Sequence, residues 1–162
     1  GGQPMKTATN QAQRTVITAR ALLEMTEAAV TEAEAAHPAK AKCDELSAQL
    51  HALDPDDDFA GDVEKWEAAC EAVLAEMKAP SDELYEAVKG RYAERDYARR
   101  ALRTAEALLF QVVLEAMPKA IGRKLPADVK RMLEDAAAAK PGALLERFRP
   151  KLVELCMSWN GR

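Results

Sequence analysis

Apolar residues recur along this chain at alternating spacings of four and three, and no period-2 run exceeds four residues. Ala12, Val16, Ala19, Leu23, Thr26, Val30 and Ala33 form the first series, the seam of a coiled-coil-like helix expected from Asn10 to about Ala36. Ile17, Ala21 and Ala28 add a second apolar face, which predicts cover on two sides. His37-Pro38 interrupts the ladder, because proline lacks an amide donor and restrains the residue before it. Ala39, Cys43, Leu46, Leu50 and Leu53 carry the same spacing into a second helix that ends at Asp54-Pro55.

Beyond the loop Asp54-Pro55-Asp56-Asp57-Asp58, Asp62 is the expected N-cap of a third helix with the stripe Val63, Trp66, Cys70, Val73 and Met77. Ala79-Pro80-Ser81 reads as a short turn, with Ser81 capping a long fourth helix that runs to about Met117. Pro118 to Pro126 is a basic connector containing Gly122. Val129, Met132, Leu133 and Ala136 mark a fifth helix, and Pro141-Gly142 breaks the chain. Leu145, Phe148, Leu152, Leu155 and Trp159 mark a sixth, kinked or restarted at Pro150, with Gly161 as its cap. Trp66 and Trp159, on regular stripes, are expected as packing residues.

The predicted fold is all-α: an antiparallel helical bundle with long coiled-coil-like helices and a C-terminal helical hairpin. Residues 5–117 make the four-helix bundle, and 118–162 the connector and hairpin, which can pack as one domain with it. Composition agrees, with 33 alanines against 7 glycines, 8 prolines and only 8 aromatic residues. Alanine loses no side-chain entropy in a helix, while strand formers are scarce. Cys43, Cys70 and Cys156 stand alone on apolar stripes, so reduced, buried thiols are expected. With no long apolar run, the chain is read as cytoplasmic and without membrane contact. Gly1-Gly2-Gln3-Pro4 ahead of Met5 reads as an expression remnant outside the fold.

Charge changes the picture most. Residues 1–86 carry 7 Lys and Arg against 18 Asp and Glu, and residues 87–162 carry 16 against 9. The total of −4 therefore conceals an acidic half and a basic half. On a wheel centred on Val88, Arg91, Arg95 and Arg99 share the face of Leu84, Leu102, Leu109 and Val113, as does Glu106. Buried guanidinium groups need partners. If the third and fourth helices fold back on each other, Glu64, Glu67 and Glu71 supply them. If not, this ridge, with Tyr92, Tyr97, Arg100 and Arg103 and extended by Arg123, Lys124, Lys130 and Arg131, is a surface for phosphate or acidic protein. Asp56, Asp57 and Asp58 with the glutamates form the opposite surface, able to imitate phosphates in a basic channel.

Catalytic and metal patterns fail on their discriminating positions. The Asp54 loop has Phe59 where a calcium loop needs glycine and Lys65 where it needs glutamate. Glu34-x-x-His37 is half of a di-metal motif, and Ala48 stands where the copy at His51 needs its acid. Cys43 and His51 lie two turns apart on one helix, too far to form a thiolate–imidazole pair. No catalytic residues and no cofactor are expected. The function expected is a non-enzymatic protein-binding module, a small inhibitor or adaptor engaging a nucleic-acid-binding complex in the style of phage and mobile-element inhibitors. The alternatives are a nucleic-acid-binding protein using the arginine ridge, and a self-associating bundle that pairs as a homodimer.

Overall fold

The computed structural model describes residues 2–160, and six helices lie among them: α1 (Gly2–Ala35), α2 (Pro38–Ala52), α3 (Val63–Ala116), the single turn α4 (Lys119–Gly122), α5 (Ala127–Ala137) and α6 (Ala143–Met157). The all-α class is as expected. The chain forms two compact units, a terminal one of Gly1–Glu24 with Asp96–Arg162 and a middle one of Met25–Arg95.

The terminal unit is built from the start of α1, the end of α3, and α4 to α6. Phe110, Leu109, Leu133, Val16, Val113, Val153 and Cys156 are its fully buried side chains. Burying side chains of this kind stabilises by about 1.5–3 kcal/mol each. Polar links at the edge of this core fix the directions of its helices. Arg20 on α1 reaches Glu154 at 3.0 Å, and Gln13 donates to the carbonyls of Cys156 and Trp159 at 3.0 and 2.8 Å, so α1 runs antiparallel to α6. Arg103 pairs with Glu146 and Glu106 with Arg149, so α3 and α6 run parallel. Gln111 donates to the Ala137 carbonyl at 2.9 Å, while Met117 shares a hollow with Lys130 near the start of α5. The helix α5 is therefore antiparallel to α3.

In the middle unit α2 lies antiparallel along α3. Ala39 packs with Leu84 and Val88, Cys43 Sγ sits 3.8 Å from Ser81 Oγ, and Trp66 Nε1 donates to the Leu53 carbonyl at 3.1 Å. His37 caps α2, its Nδ1 accepting from the Ala39 amide at 3.1 Å. The reversal into α3 is made by the acidic loop. Asp54 Oδ1 accepts from the amides of Asp56 and Asp57 at 2.8 and 3.0 Å, and Asp58 Oδ2 accepts from the Asp54 amide at 2.9 Å. Ala60 and Gly61 then take left-handed φ values of 52° and 81°, and Asp62 caps α3 through the Lys65 amide at 3.2 Å.

The expected turn at Ala79-Pro80-Ser81 is absent: α3 passes through Pro80 without interruption, and Ser81 is no cap. The stripe Trp66, Cys70, Val73, Met77, Pro80, Leu84, Val88 keeps its spacing across that point, and each member is buried or half-buried. One missing amide donor does not outweigh a continuous packing face. Other expectations also shift. Helix α1 begins at Gly2, so Gly2-Gln3-Pro4 belongs to it, and Ile17, Ala21 and Ala28 are exposed. The seam of α1 is thus covered on one side only. Val63 is exposed because it lies at the first turn of α3, ahead of the packed stripe. Pro150 sits inside α6, which is one helix, and Gly161 lies outside the described residues.

Replacing Pro80 by alanine restores the amide donor inside α3 and is expected to raise stability by about 2 kcal/mol. The check is a shift of the denaturation midpoint at unchanged m-value. A loss of stability would mean that a proline turn is needed there.

Candidate functional site

Charge follows the compact units. The middle unit holds 7 Lys and Arg against 18 Asp and Glu, and the terminal unit 16 against 9. Residues 1–24 and 87–95, the segments that distinguish these units from the two sequence halves, each carry a net +2. The contrast between halves therefore survives intact as a contrast between folded bodies.

Within the middle unit the carboxylates fall into two groups. Six have a basic neighbour: Glu34 and Asp44 on Lys40, Glu45 on Lys42, Asp62 on Lys65, Glu86 on Lys89 and Glu94 on Arg91. The hydrogen bond from Lys40 to Asp44 raises the lysine above its ordinary pKa, as that from Lys89 to Glu86 does. Glu64, Glu67 and Glu71, by contrast, are exposed and have no ion-pair partner among the described residues. Their spacing of three and four sets them on one face of α3, about 5 Å apart along its axis. With α3 continuous, Glu71 lies some twenty residues before Arg91 on the same rod, so the expected pairing of these glutamates with the ridge does not occur.

Asp56, Asp57 and Asp58 are exposed at the loop. The backbone amides of Asp57 and Asp56 hold the Asp54 carboxyl below its usual pKa, so Asp54 stays charged into mildly acid solution. No group of three His, Cys, Asp or Glu side chains converges as a metal site among the described residues.

The arginine ridge is not one surface. Arg91 and Arg99 are exposed and paired along their own helix with Glu94 at 3.3 Å and Asp96 at 3.8 Å. Arg95 alone is half-buried, its guanidinium 5.1 Å from the Tyr92 ring. Tyr92 packs on the middle-unit core and stacks on Tyr85 at 6.0 Å, and burial raises its phenol pKa. A wheel of fixed 100° steps overcounts here, because a seam of period 3.5 drifts by about 20° per heptad against it. In the terminal unit, Arg100 is exposed beside Tyr97 and Thr104 around a shallow hollow, and has no ion pair among the described residues. Arg123 and Lys124 are exposed in the connector, where Arg123, Lys119 and Lys130 rim a hollow floored by Leu114 and Met117.

Glu106 is the most enclosed acid on this face of α3. It accepts from Arg149 Nε at 3.0 Å, and the two side chains are 12% and 13% exposed. The same guanidinium lies 5.5 Å from the ring of Phe110, itself fully buried. Sequence reasoning placed Glu106 correctly but missed Arg149. Its only sequence signal is that it interrupts the stripe of α6 beside Phe148. Arg103 adds a bidentate pair to Glu146 at 2.6 and 2.7 Å, which raises the arginine and holds the glutamate below its ordinary 4.5.

The thiols follow expectation in part. Cys156 is buried, and burial pushes its pKa up to about 12, so it is inert as a nucleophile. Cys43 and Cys70, expected to be buried, are half-buried. Trp66 and Trp159 are half-buried packing residues, and Trp159 Nε1 finds no acceptor among the described residues. No helix is long and apolar enough to cross a membrane among the described residues. No protein-family model, curated protein or solved structure matches the chain.

The two α3–α6 pairs are expected to behave differently. Glu106→Gln leaves the nearly enclosed Arg149 guanidinium with only Glu146, 4.0 Å away, as counter-charge and should lower stability by about 1–3 kcal/mol, whereas Glu106→Leu with Arg149→Leu should recover most of it. Arg103→Ala should cost only about 0.2–1 kcal/mol, since both side chains of that pair are largely solvated. Because the folded-state pKa of Glu146 is depressed, this contribution is present above about pH 4.5 and lost as pH falls through the folded value. Denaturant curves from pH 7 to 3 should therefore converge for wild type and Arg103→Ala at the acid end.

Proposed function

We propose that this chain is a non-enzymatic binding protein, a small inhibitor or adaptor acting in the cytoplasm. Its acidic middle unit engages the basic, nucleic-acid-binding surface of a partner protein complex. The observation that carries this reading is the row Glu64, Glu67 and Glu71: exposed carboxylates without counter-ions among the described residues, on a continuous helix, in a unit of net −11. Rigid presentation matters, since the helix already fixes the backbone spacing of the carboxylates and binding has only their side chains left to order. Such a field steers a basic partner toward the helix and gives association that is fast at low salt and slow at high salt.

A second reading, nucleic-acid binding by the terminal unit, is favoured by Arg100, Arg123 and Lys124, which are exposed and lack ion pairs among the described residues. The internal pairing of Arg91, Arg99 and Arg103 weakens it, because those side chains are already engaged.

One experiment separates the two. Partners are captured on the immobilised chain from lysate of the source organism at about 50 mM and 300 mM salt, alongside Glu64→Lys/Glu67→Lys/Glu71→Lys and a mixed nucleic-acid pool. The proposal predicts a captured nucleic-acid-binding protein that is lost by tenfold or more with the triple variant, at unchanged helicity, and no retention of the pool by the chain itself. Retention of naked nucleic acid at low salt, insensitive to the glutamate substitutions, would replace it with the second reading. Capture that ignores both the substitutions and salt would overturn both.

A further inference from the structure

The terminal unit carries a second feature, independent of the acidic unit and of the function proposed above. α5 and α6 pack together, and a groove of about 880 Å³ runs along them. Its walls are apolar: Val129 and Met132 from α5, Leu144, Phe148, Leu152 and Leu155 from α6. Leu144 is 62% exposed and Leu155 44%, so the wall faces solvent at both ends. Leu144, Phe148 and Leu155 lie at helical spacing on one face of α6, which makes them a continuous stripe and not scattered surface leucines.

The charge at the groove is net positive. Asp135 is paired with Lys140 at 3.7 Å, which leaves Asp128, accepting from the Val129 amide at 3.0 Å, as one carboxylate against three cations. Arg131 and Lys151 line the groove, and Arg147 and Lys151 lie 5.9 and 5.8 Å from the Phe148 ring. None of these three cations has an ion pair among the described residues. An apolar trough between two helices, edged by free cations, is complementary to a third helix with leucine-type anchors and an acidic flank. An extended peptide has no strand edge to join among the described residues.

We propose that the α5–α6 groove is the docking site for an acidic amphipathic helix of a partner protein, anchored on Leu144, Phe148 and Leu155 and oriented by Arg131, Arg147 and Lys151. The site commits the terminal unit to a partner segment opposite in sign to the surface sought by the middle unit.

The test uses the full chain and a labelled helical peptide of about 16 residues, long enough to hold some helix in water, with leucines at i, i+3, i+4 and i+7 and glutamates beside them. Fluorescence anisotropy should show saturable binding, weakened about tenfold when lysines replace the glutamates. Leu144→Glu should abolish binding at unchanged circular dichroism, because that side chain is exposed. Arg147→Glu with Lys151→Glu should invert the preference between the two peptides, which keeps the proposal testable if Leu144→Glu is poorly folded. Equal affinity for both peptides, or binding indifferent to all these substitutions, would overturn the proposal. Saturable oleate binding without peptide binding would instead make the groove a site for anionic amphiphiles. Light scattering showing self-association that Leu144→Glu abolishes would make the occupant a second copy. Either result overturns the partner helix.

Discussion

The apolar seam of α3 is the constraint on which the rest of this structure depends. It runs from Trp66 to Val113, and both compact units pack against portions of it. Because its period is sustained, α3 absorbs Pro80 as a local loss of one hydrogen bond and remains helical, where an isolated proline would ordinarily end a helix. Between α2 and α3 the chain reverses instead at the acidic loop, where left-handed residues and side-chain caps coincide, at Asp54, Asp58, Gly61 and Asp62. Tertiary packing of the amphipathic face, not local propensity, decides which breaker breaks.

A continuous α3 also decides the electrostatics. Had the helix folded back at Pro80, Glu64, Glu67 and Glu71 would have met the arginines and the charge contrast would have been spent internally. In the continuous helix the arginines find partners three residues away or on α6, and the glutamates find none among the described residues. Each unit therefore keeps its own sign. A body of net −11 pays for its fold in self-repulsion, which is tolerable at physiological salt because exposed charges more than about 8 Å apart are screened.

The terminal unit shows how selectively charge is buried. Glu106 and Arg149 are nearly enclosed, and they meet over the face of Phe110, where the guanidinium gains a stacking surface as well as a counter-ion. This pair sets the register between α3 and α6, because leaving either member unmatched is costly in an apolar setting. Placing α6 in that register leaves Leu144 and Leu155 outside the core, along the groove with α5. The exposed apolar stripe thus goes with where the nearly enclosed ion pair anchors the helix. The same helix contributes Leu145, Leu152, Val153 and Cys156 to the core, so its two faces are both apolar and only one is covered.

By itself the sequence determined the helical class, most helix boundaries, the seams of α1 and α2, the cap at Asp62 and the sign of each half, since all of these follow from spacing and composition within a few turns. The place of Glu106 on the packed face of α3 was legible too, from its angle on the helical wheel. Tertiary structure alone decided three things: that Pro80 lies inside a helix, that Arg91 and Arg99 are solvated, and that Arg149 is the residue opposite Glu106. Each depends on what packs across from a side chain. That is a property of elements distant in sequence, whose energies are large enough to overrule a proline and too non-local for any periodicity to record.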